Sequence, residues 1–564
     1  MAPRHALVPD PHGPGGRLQA LAEDGTPLGP PQTVPDLAAA AARIEAAEQP
    51  RWVFAAADSA YAPLLPRRLA RCHDLRLTEP LLLGHEGRWG EPRSLGAAWA
   101  RLRRLPVPAD LPEAGAADED QAGLFAPDRL QLPPGADPLE AVVAVHADQQ
   151  RRLAAVEGPA ERGRLRLLAA AESAGGLLAA EMAVDGLPWR SDVHDRLLTE
   201  LLGPRPQIPG APPRRLAELA AELQQALGGR PFNPDSHSQV LRAFAEQGIQ
   251  LSSTRSWELR RVDHPAAELM IRYKELSRLH AAHGWAWQAA WARGGRFRPE
   301  YVVGGVVSGR WATRGGGALQ IPRILRRAVV ADPGWALVVA DAAQLEPRVL
   351  AALSEDAGLA RTAAEGDLYE ALAASAFHGD RSKAKLGLLG AMYGQTSGDI
   401  GPLLATLRRR YPAAMGYVEA AARTGEDGGI VRSRLGRTCP PPSADWLDLT
   451  EAPETAGEAG GRSARARGRF TRNFVIQASA ADWALALLAA LRRRLSALAS
   501  GTDHPHLVFF QHDEVVVHTP ADLADRVAEE VAAAADEARA LVFGATPVRF
   551  PLSTAVVDCY ADAK

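Results

Sequence analysis

Apolar positions recur at three- and four-residue spacing through Glu140–Val156 and Arg162–Val184. This predicts two long helices, the second stopped by Asp185-Gly186. Further helices are predicted over Val193–Leu202, Arg214–Leu227, His237–Gln247 and Glu268–His280, an all-helical run suited to an elongated subdomain. Upstream, residues 37–83 mix helix-like pieces with strand-like ones such as Arg51-Trp-Val-Phe-Ala, which predicts a small α/β unit. Residues 1–30 carry Gly and Pro at turn spacing and predict short strands, and Pro106–Pro138 has the composition of a loop or linker. From Tyr301 the character changes. Tyr301–Val307 and Trp335–Ala340 are predicted strands, and Leu350–Arg410 is mostly helical. Leu507–Phe510 and Val515–His518 form a predicted hairpin, and Ala521–Val542 a helix. Strands that carry acids, interrupted by helical insertions, imply an α+β catalytic core in a multidomain chain.

At 564 residues and 46% hydrophobic, the chain is long enough for several cores. No stretch of about 18 apolar residues free of charges and prolines stands out, so no membrane span is expected. The N-terminus lacks a basic segment followed by an apolar one, which predicts an intracellular protein. Cys72, Cys439 and Cys559 lie far apart and suggest neither a disulfide framework nor a zinc site. The net charge of −3 excludes a globally basic protein but not a basic groove. Lysine occurs only at Lys274, Lys383, Lys385 and Lys564, so two in one short helix invite a chemical reason.

Three segments carry candidate chemistry. Trp335-Ala-Leu-Val-Val-Ala-Asp341 is an apolar strand ending in a carboxylate, followed by Ala342, Ala343, Gln344, Glu346 and Arg348 at the start of a helix. An acid that ends a strand and helps cap a helix explains this segment equally well. Gln511-His512-Asp513-Glu514 lies between two strongly apolar strands, where a hairpin turn usually holds Asn-Gly or Asp-Gly. An acid pair there is costly unless a cation offsets it. Arg381 and Lys385 sit one helical turn apart, with Leu389 and Tyr393 continuing the face and three glycines between 387 and 394. The face suits a triphosphate on Arg381 and Lys385, and the glycines suggest a flat group close to the backbone.

These segments, in this order, resemble motifs A, B and C of family A DNA polymerases. Ser308-Gly309-Arg310, Leu319-Gln-Ile-Pro322 and the trio Arg469, Asn473 and Gln477 resemble flanking elements of the family. The resemblance is strong from Tyr301 to the C-terminus, moderate over 160–300 and weak over 1–150. It implies a right-hand polymerase of palm, fingers and thumb, with an α/β, ribonuclease H-like exonuclease domain at the N-terminus. The expected division is exonuclease-like 1–155, start of palm and thumb 160–300, palm 301–353, fingers 354–430 and palm 431–564. The implied activity is template-directed DNA synthesis by a cytoplasmic, nucleoid-associated monomer in repair or gap filling.

The resemblance also implies roles. Asp341 and Asp513, with the Ala342 carbonyl, would hold two magnesium ions, manganese being an alternative. Arg381 and Lys385 would hold the triphosphate, Lys385 also donating a proton. Gln344, Glu346, Leu389 and Tyr393 would line the deoxynucleotide pocket, and Glu514 would assist near the metals. Arg310, Arg469, Asn473, Gln477 and His512 would contact primer–template DNA. Several positions depart from the family. Ala342-Ala343 replace Tyr-Ser, and Leu389 replaces an aromatic residue, which predicts altered nucleotide affinity. Residues 1–50 contain no Asp-x-Glu, and the Arg-rich stretch Gly461–Arg472 is expected to be a loop near the DNA backbone. Asp58, Asp74 and Asp148 are therefore expected to be surface acids, and the exonuclease-like domain inactive. Two other readings stand beside this one: a non-catalytic primer–template binding protein, and an RNA polymerase or terminal transferase.

Overall fold

The computed structural model describes residues 3–65, 67–111, 130–208, 210–364, 366–394, 400–451, 457–498 and 504–563. The middle of the expected 106–138 linker lies outside the described residues. The chain forms two compact units. The first comprises Met1–Asp185, Glu300–Gly315 and Val338–Val556, and the second Gly186–Pro299, Gly316–Leu337 and Val557–Lys564.

The first unit opens on a five-stranded sheet. Its strands are β1 (Arg4–Pro9), β2 (Gly16–Leu21), β3 (Gln32–Val34), β4 (Arg51–Phe54) and β5 (Arg71–Asp74), in the order β3-β2-β1-β4-β5. β1, β2 and β3 form an antiparallel meander, and β4 and β5 add in parallel. Alternation sorts the side chains onto two faces. Leu7, Leu18, Trp52 and Phe54 pack with Leu37, Tyr61 and Leu177. Ala6, Leu21 and Val53 pack with Leu95, Trp99 and Val142. The helix Pro159–Asp185 supplies Leu177 and also Glu181, which accepts from Arg492 at 2.6 Å, Arg68 at 3.1 Å and Tyr61. Arg492 reaches Leu69 and Ala70 carbonyls as well, so a fully buried carboxylate ties the sheet to the helix Gly457–Ala497.

The second unit is mostly helical, with Ser191–Leu202, Arg214–Ala226, His237–Glu246 and Pro265–His283 close to their expected spans. Three short strands, β6 (Leu187–Pro188), β7 (Ala292–Arg293) and β8 (Arg296–Phe297), pair in the order β6-β8-β7. Trp189, His194, Trp287 and Phe297 form an aromatic cluster beside them.

Back in the first unit, β9 (Glu300–Val302) pairs with β10 (Ala312–Arg314). The strand expected to reach Val307 stops at Val302 because Gly304, at φ +61°, turns the chain back. The second sheet contains β11 (Trp335–Ala342), β12 (His506–Gln511), β13 (Glu514–Pro520) and β14 (Leu552–Val557), in the order β12-β13-β11-β14.

One further expectation needs correction. The Arg-rich stretch 461–472 is not a loop but part of the 41-residue helix Gly457–Ala497. Its arginines are good helix formers, and two of its residues are spent on packing. Arg467 is buried and donates to the Pro440 carbonyl at 2.7 Å, and the Thr471 hydroxyl donates to the Ala421 carbonyl at 2.8 Å. Two helices, Pro159–Asp185 and Gly460–Ala497, do prove long and apolar enough by composition to cross a membrane. Some 67% and 89% of their apolar windows are buried inside the protein, as in core helices.

Candidate active site

β12 and β13 are joined by His512 and Asp513 alone, with Gln511 paired to Glu514 and Phe510 to Val515. His512 takes φ +59°, which the first residue of a tight two-residue hairpin needs and which histidine tolerates better than most residues. The hairpin tip exposes His512, leaves Asp513 half-buried and buries Glu514. β13 lies next to β11, and the Ala342 amide donates to the Asp513 carbonyl at 3.0 Å. Asp341, near the end of β11, and Asp513, in the turn that leads into the neighbouring β13, are thus brought together by that backbone bond, and both are half-buried.

The turn after Asp341 is held from behind. Gln344 adopts φ +52° and opens the helix Leu345–Ser354, so Asp341 does not cap that helix. Arg348 is fully buried. It donates to the carbonyls of Ala343 at 2.9 Å, Ala363 at 2.7 Å, Arg549 at 3.0 Å and Gly366, and to Gln344 Oε1 at 3.2 Å. Gln344 Oε1 also accepts from the Leu368 amide at 3.2 Å. A single guanidinium therefore fixes the backbone that follows Asp341. The hairpin has its own brace. The Tyr301 hydroxyl donates to the Phe510 carbonyl at 3.0 Å and accepts from the Phe510 amide at 3.1 Å, and Trp311 packs edge-on against Tyr301 and Phe510. Burial pushes the Tyr301 hydroxyl pKa well up, so it keeps the proton it donates.

Glu346 accepts from both Arg310 and Tyr393, which joins three expected site residues. Burial, then the Glu346 carboxylate, raises the Tyr393 pKa. Burial, then the Arg310 guanidinium, lowers that of His512, which favours a neutral ring. The helix Arg381–Tyr393 is capped by Asp380, whose side chain accepts from the Lys383 amide. Lys385 is exposed and has no ion-pair partner among the described residues, whereas Arg381 pairs with Asp367 at 2.7 Å and lies over the Tyr369 ring. Leu389 is half-buried.

The glycines of this helix do not require a flat ligand. A Cβ at Gly387 would come within 3.2 Å of Leu403 and 3.4 Å of Phe377, so it permits close packing against the next helix. Gly394, at φ +67°, ends the helix in a left-handed cap with Arg469 alongside. Arg469 is exposed, and Asn473 and Gln477 are half-buried on the same helix. Asp367, Tyr369, Arg348, Tyr301 and Trp311 were not singled out as site residues from the sequence. Arg348 is the last residue of the first motif, while Asp367 and Tyr369 meet Arg381 from the preceding helix and Tyr301 and Trp311 reach the hairpin from about 200 residues away.

Among the described residues no cluster of three or more His, Cys, Asp or Glu side chains is arranged to hold a metal ion. Asp341 and Asp513 offer two carboxylates beside a backbone carbonyl. That set fits magnesium, which binds through one or two carboxylates and completes its shell with water and phosphate. The N-terminal acids are otherwise engaged. Asp58 pairs with Arg76 at 2.5 Å, Asp148 pairs with Arg151 at 2.9 Å, and Asp74 caps the helix Leu75–His85. Asp74 is fully buried, not a surface acid. Burial raises its pKa to about 6.

Comparison with known proteins gives the same picture. The chain is 28% identical over 541 residues to the thermostable DNA polymerase I of Thermus filiformis, an alignment covering 84% of this chain and 60% of that protein. It is 26% identical over 352 residues to DNA polymerase I of Chloroflexus aurantiacus, covering 55% and 36% respectively. The chain thus spans 60% or less of these relatives' length. Among solved structures, the POL domain of Pol1 from M. smegmatis, in complex with DNA primer-template and dNTP, superposes with a TM-score of 0.71. That match covers 100% of this chain and 96% of that one at 18% identity, and it shows a shared fold. The family model for DNA polymerase family A matches residues 211–556, well over half of the sequence and including all three acidic and basic motifs, and the chain belongs to that family.

Proposed function

We propose that this chain is a template-directed DNA polymerase that adds deoxynucleotides to a primer 3′-hydroxyl. The observation that carries the proposal is the placement of Asp341 at the end of β11 beside Asp513 in the turn that opens the adjacent β13, tied by the Ala342–Asp513 backbone bond. Asp341 and Asp513, with the Ala342 carbonyl, would hold magnesium, which when bound would supply activation of the hydroxyl and stabilisation of the pyrophosphate leaving group. The protein's own groups do the rest. Lys385, exposed and without an ion-pair partner among the described residues, approaches the triphosphate and donates a proton to the departing pyrophosphate. Arg381 grips the same phosphates after releasing Asp367, a surface exchange of low cost. Glu346, held by Arg310 and Tyr393, occupies the space a ribose 2′-hydroxyl would need, so deoxynucleotides are preferred. His512, at the hairpin tip, approaches the primer end, while Arg469, Asn473 and Gln477 line the duplex. The helix from Arg381 closes over a matched base pair.

The N-terminal sheet is proposed as an exonuclease-like domain without nuclease activity. β1 contains no acid, and Asp58, Asp74 and Asp148 are each committed to an ion pair or a helix cap. Work in repair or gap filling, as a monomer in the nucleoid, is part of the same proposal.

The test is primer extension on a defined template with magnesium, comparing the chain with Asp513→Ala and including a lane without nucleotides. Extension abolished by Asp513→Ala, with an intact primer in the lane without nucleotides, is expected. No extension by the wild type, with tight primer–template binding retained, overturns the enzymatic reading in favour of a binding protein. Equal use of ribonucleotides, or extension without template, overturns the assigned substrate.

A further inference from the structure

A cavity of about 450 Å³ opens at the edge of the N-terminal sheet where β1 and β4 begin, lined by Arg4, Arg51, Arg151, Arg166 and His73. Asp58 follows β4 and Asp74 ends β5, and both line a different cleft, so this cavity is separate from them. It belongs to neither the acid pair nor the Arg381 helix.

Its charge is unbalanced. Four arginines line it; Arg151 pairs with Asp148 at 2.9 Å, which leaves three facing two carboxylates, Glu23 and Asp24, both exposed at the rim and both attracting Arg4. Asp24 already accepts from the Thr26 amide at 2.9 Å. Several other arginines of the N-terminal segment are matched with acids, Arg17 with Asp137, Arg68 with Glu181 and Asp185, Arg101 and Arg152 with Glu79, while Arg71 bonds only the Gln49 carbonyl at the surface. Arg4, Arg51 and Arg166 have no carboxylate partner among the described residues. Arg4 donates to His146 Nε2 at 2.9 Å, and Arg51 to the Cys72 carbonyl at 2.9 Å. These two bonds orient the guanidinium groups without neutralising them. Arg4 and Arg51 are half-buried, and each has its pKa lowered by burial and by a neighbouring arginine. Burial, together with Arg51 and Arg4, also holds His73 neutral, with a pKa near 4.

Like charges gathered in a partly enclosed cleft repel one another, and a bound anion relieves that repulsion. Guanidinium forks match tetrahedral phosphate oxygens better than they match chloride. The volume lies within the range of small-ligand sites and accommodates a mononucleotide. We propose that this cavity binds a phosphate-bearing small molecule, inorganic phosphate or a phosphomonoester of nucleotide size, at a site separate from the polymerase centre.

The experiment is isothermal titration of the full chain, without magnesium and at low salt, using inorganic phosphate, a deoxynucleoside monophosphate and a short single-stranded oligonucleotide. The panel is wild type, Arg4→Gln/Arg166→Gln, Arg166→Glu and Lys385→Ala. Saturable binding of phosphate or the monophosphate is expected, weakened at least tenfold in the double variant and kept in Lys385→Ala. Arg166 is exposed and makes no hydrogen bond or ion pair among the described residues, so Arg166→Glu tests the site even if the double variant folds poorly. It is expected to weaken binding in the same direction while primer extension stays at the wild-type level. Binding that is absent, unchanged in Arg166→Glu, or lost in Lys385→Ala overturns the proposal. Tighter binding of the oligonucleotide than of the monophosphate, lost in Arg166→Glu, overturns the small-ligand assignment in favour of a nucleic-acid strand.

Discussion

Arg348→Met tests the idea that one buried guanidinium holds the turn after Asp341. Methionine fills most of the side-chain volume but donates nothing. The carbonyls of Ala343, Ala363, Gly366 and Arg549 and the Gln344 amide oxygen then lose a donor inside the fold. Each unsatisfied buried acceptor costs about 1–3 kcal/mol. Relaxation and water entry limit the sum, and breaking a buried charged network typically costs ~3–5 kcal/mol. With a urea slope of about 3 kcal/mol per molar, the unfolding midpoint falls by roughly 1–1.7 M. The Ala343–Gln344 backbone also loosens beside Asp341, so primer extension falls even where the protein remains folded. Arg348→Lys keeps a charge and three donors and is expected to lie between the two. Urea unfolding followed by circular dichroism, with extension rates measured well below the midpoint, supplies both readouts. A midpoint shift under about 0.3 M, worth ~1 kcal/mol at that slope, would refute the reasoning.

Three further perturbations follow from the same geometry. Tyr301→Phe removes the hydroxyl bonded to both the amide and the carbonyl of Phe510, and about 1–3 kcal/mol of stability should go with it. Its slower extension at saturating nucleotide would show that the Asp513 hairpin had loosened, whereas an unchanged rate and midpoint would show that the brace is idle. Gly425→Ala places a Cβ 2.1 Å from Thr471 Oγ1 and 2.9 Å from the Arg467 carbonyl, an overlap expected to cost about 1–3 kcal/mol. Adding Thr471→Ala should recover part of that loss in a double-mutant cycle, and strict additivity would argue against the contact. His146 is buried beside Arg4 and His73, and burial, then those charges, lowers its pKa from 6.5 to about 2. The unfolded chain binds a proton below pH 6.5 that the folded chain refuses, so the stability from this group is complete above pH 6.5 and declines as pH falls toward 2. His73, lowered to about 4, and Asp74, raised to about 6, act in opposite directions between pH 4 and 6. His146→Gln should therefore flatten the acid side of the stability profile by about 1.4 kcal/mol per pH unit. Parallel wild-type and variant profiles from pH 6 to 4 would contradict that assignment.

Local pattern was enough to find most of the elements and the motifs. The apolar strand before Asp341 and the polar Gln511–Glu514 turn between apolar strands are short-range features, and the helices of 138–202 and 265–283 announce themselves by period. The same local reading failed where an alternative explanation lay far away in the chain. Gly460-Gly461 and the dense arginines suggested a loop, yet Arg467 and Thr471 find partners on residues 421–440 and the segment is helical. Gly387 suggested a ligand, and Leu403 and Phe377 fill the space instead. Sequence alone therefore determined which residues could do chemistry, because residue type and spacing carry charge, turn preference and period. Only the tertiary structure decided how they are held: the β11–β13 neighbourhood that joins Asp341 to Asp513, the Arg310–Glu346–Tyr393 triad, the Arg348 anchor and the unmatched arginines of the N-terminal edge. Those depend on contacts between residues tens to hundreds of positions apart, set by sheet order and helix packing, and no local window contains both partners.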